Sequence, residues 1–141
     1  MIDKIMLEQK FRELDRYLKE LELARKITWD EFNTSLSQQW QISHGLQISI
    51  QILIDAGNHI LAVLGENQVE DYVDIIDKLG EKNIIPFEFA RSIRGMAGIR
   101  NLLVHEYARL DLKKIYSVLE NRLGDFYLFI EYINQYIKNA K

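Results

Sequence analysis

Residues 7–21, LEQKFRELDRYLKEL, place Leu7, Phe11, Leu14, Leu18 and Leu21 at alternating steps of four and three, with charged residues between them. At 3.6 residues per turn those positions fall on one face, which is the signature of an amphipathic helix. The spacing predicts a first helix over residues 3–26. Thr28-Trp29-Asp30-Glu31 has the form of a capping box, whose hydroxyl and carboxylate satisfy amides left without partners at a helix start. A second helix is therefore expected to begin at Thr28 and to break or bend between Asn33 and Gln39. Its stripe continues through Ile50, Leu53, Ile54, Gly57, Ile60, Leu61 and Leu64 to a stop at Gly65. Tyr72, Val73, Ile75, Ile76 and Leu79 predict a short helix closed by Gly80, and Pro86 opens another that runs to Tyr107. Asp111 is the expected N-cap of a last long stripe of Leu112, Ile115, Leu119, Leu123, Phe126, Ile130, Ile133 and Ile137. The expected architecture is all-α, an antiparallel bundle of four to five main helices.

The composition agrees. A chain of 141 residues is expected to form a single domain over 1–141, and one proline with seven glycines is too few turn-formers for many short strands. Without cysteine there is no disulfide, thiolate zinc site, iron–sulfur cluster or cysteine nucleophile, which fits a reducing cytoplasm. The N-terminus carries charges every few residues and no apolar run, so no secretory signal is expected. Residues 32–54 lack charge, but 12 of these 23 positions are Ser, Thr, Asn, Gln or His, too polar for a membrane span. Net charge is −3 yet unevenly spread: residues 91–114 carry +4, leaving −7 elsewhere, so a polyanion site is expected in that segment.

Residues 95–107, GMAGIRNLLVHEY, strain the local rules. Ile93, Met96, Ala97, Leu103 and Val104 define one apolar face, while Ile99 and Leu102 point the other way. A helix apolar on both sides needs two covers, here the bundle core and a second subunit. Gly95 and Gly98 would let a neighbouring backbone approach closely. Arg100 interrupts the main stripe, where an unpaired guanidinium is costly and requires a partner or an anion.

Arginine stays charged and forks two hydrogen bonds to phosphate oxygens, whereas histidine titrates near neutrality and moves protons. Arg100 with His105 suffices for metal-free cleavage of a phosphodiester through a neighbouring 2′-hydroxyl, the arginine stabilising the pentavalent charge. Five residues are about 140° apart on a helix. Either the helix ends or bends before His105, or paired chains supply the two groups to a shared cleft.

Arg100-Asn101-Leu102-Leu103-Val104-His105-Glu106-Tyr107 resembles the R-x4-H-x-Y signature of HepT-like toxins in the HEPN superfamily of helical ribonucleases. The block Met96-Ala97-Gly98-Ile99-Arg100-Asn101 and the segment from Gln47 to Ile60 are similar to that family as well. The resemblance implies a HEPN-like dimeric endoribonuclease without cofactor, catalytic through Arg100 and His105 with Asn101 supporting. It also implies a minimal nucleotidyltransferase antitoxin, of the MntA kind, that transfers AMP to Tyr107. Seven residues return Tyr107 almost to the angular position of Arg100, so an AMP there would occupy the phosphate site. The rival from another class is a non-catalytic HEPN module that binds a nucleotide or docks a nucleotidyltransferase.

Other polar groups carry less. Arg91, Arg94, Arg109 and Lys113 are candidates for RNA phosphates, with a solvated face the competing reading. Asp55 and His59, four apart, could form an acid/base or metal pair, but a structural hydrogen bond is the plainer reading and no third ligand lies nearby in sequence. His44 reads as a surface or half-buried histidine, and Trp29 and Trp40 as core residues rather than base-stacking platforms.

Overall fold

The computed structural model describes residues 1–66, 68–105 and 111–140, and only the backbone of Val104 and His105. Among them are seven helices: α1 (Lys4–Ala24), α2 (Trp29–Thr34), α3 (Leu36–Val63), α4 (Tyr72–Glu81), α5 (Phe87–His105), α6 (Leu112–Asn121) and α7 (Leu123–Asn139). The described residues are all-helical apart from their connections. In α1 the five stripe residues Leu7, Phe11, Leu14, Leu18 and Leu21 are the buried ones, and Asp3 caps its start by accepting the Met6 amide.

The capping box at Thr28 is present in both directions, with Thr28 Oγ1 accepting the Glu31 amide and Glu31 Oε1 accepting the Thr28 amide. The expected break falls at Ser35, which ends α2 and caps α3 by accepting the Gln38 amide. Gln39 Nε2 donates back to the carbonyls of Phe32 and Asn33, so the last turn of α2 is satisfied across the break. At the far end of α3, Gly65 takes φ +83°, Glu66 N–H donates to Leu61 and Gly65 N–H to Ala62, a Schellman stop.

Two expected boundaries are corrected. Gly80 does not close α4; it lies inside it, and the left-handed residue is Asn83 at φ 56°, followed by Ile84 N–H donating to Leu79. Asparagine tolerates that backbone region, while Gly80 serves a different end: a Cβ there would come within 2.6 Å of the Ala90 Cβ, so its absence lets α5 lie against α4. The last stripe is two helices, broken at Arg122 (φ −121°, ψ 2°). Arg25 Nη2 donates to the Glu120 carbonyl near the end of α6, and an Arg122 Nη2 donates to the Ser92 carbonyl of α5.

Helix α3 touches every other helix and is the axis of the fold. Over Leu36–Val63 it is long and apolar enough to cross a membrane by length and composition, unlike residues 32–54, which exclude its apolar C-terminal turns. More than half of its most apolar window is buried by neighbouring helices, as for the central helix of a globular core. Helix α5 packs against both α3 and α4, which also touch each other, and this placement builds the site.

Candidate active site

Helix α5 buries Ile93, Met96, Ala97 and Leu103, the face expected from the sequence, and leaves Ile99 and Leu102 half-buried. Gly95 and Gly98 make no close approach among the described residues, since a Cβ on either meets none of them within 4 Å. The close approaches occur instead at Gly80 and at Gly57, where a Cβ would come within 2.8 Å of Leu79. On the α6 side, Gly95, Met96, Ile99, Lys114 and Arg122 border a cavity of about 350 Å³.

Arg100 is half-buried and finds the partners its position demands. Its Nε donates to Gln51 Oε1 of α3 at 2.6 Å, and its Cζ stands 4.4 Å over the centroid of the Tyr72 ring at the start of α4. Both partners are uncharged. Among the described residues no carboxylate lies within ion-pair distance of this guanidinium, so the positive charge is oriented without being cancelled.

Gln51 is held from the other side. Its Nε2 donates to Asp55 Oδ1 one turn on at 2.8 Å, and Asp55 Oδ2 is 3.7 Å from Lys10 Nζ of α1. The orientation of the amide follows from its neighbours, because the guanidinium can only donate and the carboxylate only accept. Four helices thus meet along one polar line: Lys10, Asp55, Gln51, Arg100 and the face of Tyr72.

Asn101 borders an open cavity of about 640 Å³ whose walls also include Gln51, Asp55, Asn58, Tyr72 and Glu66. Glu66 is paired to Lys78 at 2.9 Å, which pushes its carboxyl below the ordinary value and the lysine above its own. Asn101 and Gln51 therefore meet at one cleft beside Arg100.

The Asp55–His59 pair does not form. Asp55 turns back to Gln51, and His59 Nε2 instead accepts the Asp3 amide at the start of α1, at 2.9 Å. Each side chain makes a structural hydrogen bond, and among the described residues no three His, Cys, Asp or Glu gather as metal ligands. Arg94 spends its fork on Asp77, with Nε to Oδ1 at 3.0 Å and Nη2 to Oδ2 at 2.9 Å, and the bond raises its pKa. Arg91 is exposed, its Cζ 6.0 Å from the Phe87 centroid, and Lys113 is exposed in the first turn of α6. Trp29 packs on Phe32 and Tyr116 as expected, but Trp40 stands 55% exposed with His44 exposed one turn on, because both lie on the outer face of α3. The His105 side chain, Tyr107 and Arg109 lie outside the described residues.

Sequence reasoning found Arg100 by its interruption of an apolar stripe and missed what holds it. Gln51 and Asp55 did carry a signal, the i, i+4 spacing that puts an amide and a carboxylate on one helix face. Lys10 and Tyr72 carried none, since each arrives from another helix.

Comparison with known proteins gives a consistent result. The profile of the family described as ribonuclease HepT-like matches residues 14–133. A tRNA nuclease HepT of Aphanizomenon flos-aquae is 29% identical over 136 residues, covering 96% of this chain and 92% of that protein. An mRNA nuclease HepT of Shewanella oneidensis is 28% identical over 103 residues, covering 73% of this chain and 77% of the relative. Among solved structures, a tri-AMPylated Shewanella oneidensis HEPN toxin in complex with an MNT antitoxin superposes with a TM-score of 0.84 at 25% identity, covering 95% of this chain and 99% of that one.

Proposed function

The chain belongs to the ribonuclease HepT-like family, and from that premise we propose that it is the toxin of a toxin–antitoxin pair, a cytoplasmic, metal-independent endoribonuclease whose composite site is shared by two copies of the chain. The observation that carries this reading is Arg100, a half-buried cation aligned by an amide and an aromatic face and left without a carboxylate among the described residues. Such a group is a receptor for an anion. Its relatives are named for cleavage of tRNA and mRNA, which supplies the anion's class.

In the proposed reaction the 2′-hydroxyl of RNA loses its proton to His105 as its oxygen attacks the adjacent phosphorus. The bond from phosphorus to the 5′-oxygen breaks, that oxygen takes up a proton, and a 2′,3′-cyclic phosphate remains. Arg100 stabilises the charge on the pentavalent phosphorus, and Asn101 supports the same cleft. Helix α5 continues through His105 rather than ending before it, which removes one way of bringing the two positions together and favours supply from paired chains. Arg91, Arg109 and Lys113 are the proposed phosphate contacts beyond the scissile bond, and Arg94 joins them only by releasing Asp77.

Control is proposed to fall on Tyr107. A minimal nucleotidyltransferase of the MntA kind presents ATP, the phenol oxygen attacks the α-phosphorus, pyrophosphate leaves, and the tyrosine carries AMP. The new anion, seven residues from Arg100, competes for the phosphate position.

The test is cleavage of RNA by the purified chain with and without chelator. Arg100→Ala and His105→Ala should each lose on the order of a hundredfold or more in rate, with chelator without effect. Full activity in both variants, or loss on chelation, rejects the mechanism. Incubation with the partner and ATP should add the mass of AMP to the peptide holding Tyr107, and Tyr107→Phe should escape both modification and silencing. Silencing of the phenylalanine variant would mean inhibition by binding alone.

A further inference from the structure

The line of polar groups behind Arg100 does more than fill space, and the inference drawn from it rests on the ribonuclease reading above. Arg100 offers five N–H donors in a rigid fork, and the direction of that fork decides whether a phosphate can be gripped. Gln51 takes the Nε donor at 2.6 Å, and the guanidinium Cζ stands 4.4 Å over the centroid of the Tyr72 ring. Among the described residues neither Nη atom has a hydrogen-bond partner, so the two Nη groups are the part left to face a ligand.

An amide at position 51 would serve this purpose only in one of its two orientations, because its NH2 end would repel the Nε–H. Asp55 selects the right one. Its carboxylate accepts Gln51 Nε2 at 2.8 Å, and Lys10 Nζ stands 3.7 Å from Oδ2 on the other side of the carboxylate. We propose that Gln51 is a positioning residue for the ribonuclease reaction, that Asp55 acts through it by fixing its amide, and that together they turn the Nη edge of Arg100 toward the scissile phosphate.

The substitutions that separate this role from simple packing keep volume and remove direction. Gln51→Met preserves size without the acceptor. Asp55→Asn preserves shape but adds a donor, so the Gln51 amide is free to turn. Gln51→Met should lower kcat about tenfold, the scale of one hydrogen bond to a charged group, with KM within about twofold. Asp55→Asn should lower kcat less, and should cost nothing further in the Gln51→Met background, since its effect passes through the amide. Thermal melting of each variant checks that the fold is retained.

A second measurement does not depend on cleavage. In a 15N-labelled protein, the Arg100 Nε–Hε signal should be present in slow exchange with water in the wild type and in Asp55→Glu, and lost in Gln51→Met. An unchanged Nε–Hε signal in Gln51→Met, an unchanged kcat in that variant, or an equal effect of Asp55→Asn with and without Gln51 would each overturn the inference. A wild-type chain that fails to cut RNA while Gln51→Met abolishes the Nε–Hε signal would instead reject the ribonuclease reading and retain Gln51 as the holder of Arg100.

Discussion

Arg100 shows why charge alone is a poor description of a site. Arg100→Lys keeps the charge but loses both the Nε–H that Gln51 accepts and the guanidinium carbon that stands over the Tyr72 ring. It should lower the cleavage rate at least tenfold while the melting temperature stays close to that of the wild type; wild-type rates in this variant would show that any cation serves. Tyr72→Phe should retain activity and Tyr72→Ala should not, because the ring and not its hydroxyl supports the guanidinium. The sequence identified Arg100 because a cation within an apolar stripe needs an explanation. It could not identify the bidentate tie between Arg94 and Asp77, which lie on different helices, and so Arg94 appeared equivalent to Arg91.

Helix boundaries were legible where they are written in local chemistry. Thr28 and Asp111 each cap the helix that follows them, as their side chains and spacing suggested, and Asp3, expected inside the first helix, caps α1. The break at Arg122 was not legible, because Leu119, Leu123 and Phe126 keep the steps of four and three straight through it. Gly80 was misread for a related reason: a glycine at a helix end and a glycine at a helix crossing look alike in sequence. The crossing makes a sharp prediction. Gly80→Ala forces its Cβ against Ala90, a contact that backbone must relieve, and should destabilise the fold by about 1–3 kcal/mol in urea unfolding. A neutral or stabilising result would mean that α4 and α5 part without cost. The capping box predicts a pH dependence. Bonds from Thr28 lower the Glu31 pKa below the ordinary 4.5, so its contribution is present above that value and is lost as pH falls through the lowered folded value. The difference in melting temperature between wild type and Glu31→Gln should therefore shrink below pH 4.5.

For the whole chain, the proposed pairing of two copies is tested on α5. A Cβ on Gly95 or Gly98 meets nothing within 4 Å among the described residues, so a side chain there has room among them. Gly98→Gln should leave folding intact, yet separate a species of twice 16.7 kDa into single chains in light scattering and abolish cleavage with it. Persistence of the dimer in this variant would place the interface elsewhere. The all-helical class and the long helix ending before Gly65 were accessible from periodicity, whereas its central place and the polar line through Lys10, Asp55, Gln51 and Arg100 depend on contacts between distant parts of the chain that no local pattern encodes. That dependence also has a temporal side. On the ribosome α1 and α3 emerge first, but the guanidinium does not exist until residue 100 has been added, and it is not aligned until α5 has settled against α3 and α4. Prematurely released chains that stop short of α5 lack Arg100 altogether, so on the proposed mechanism they cannot cut RNA and the hazard arises late in synthesis.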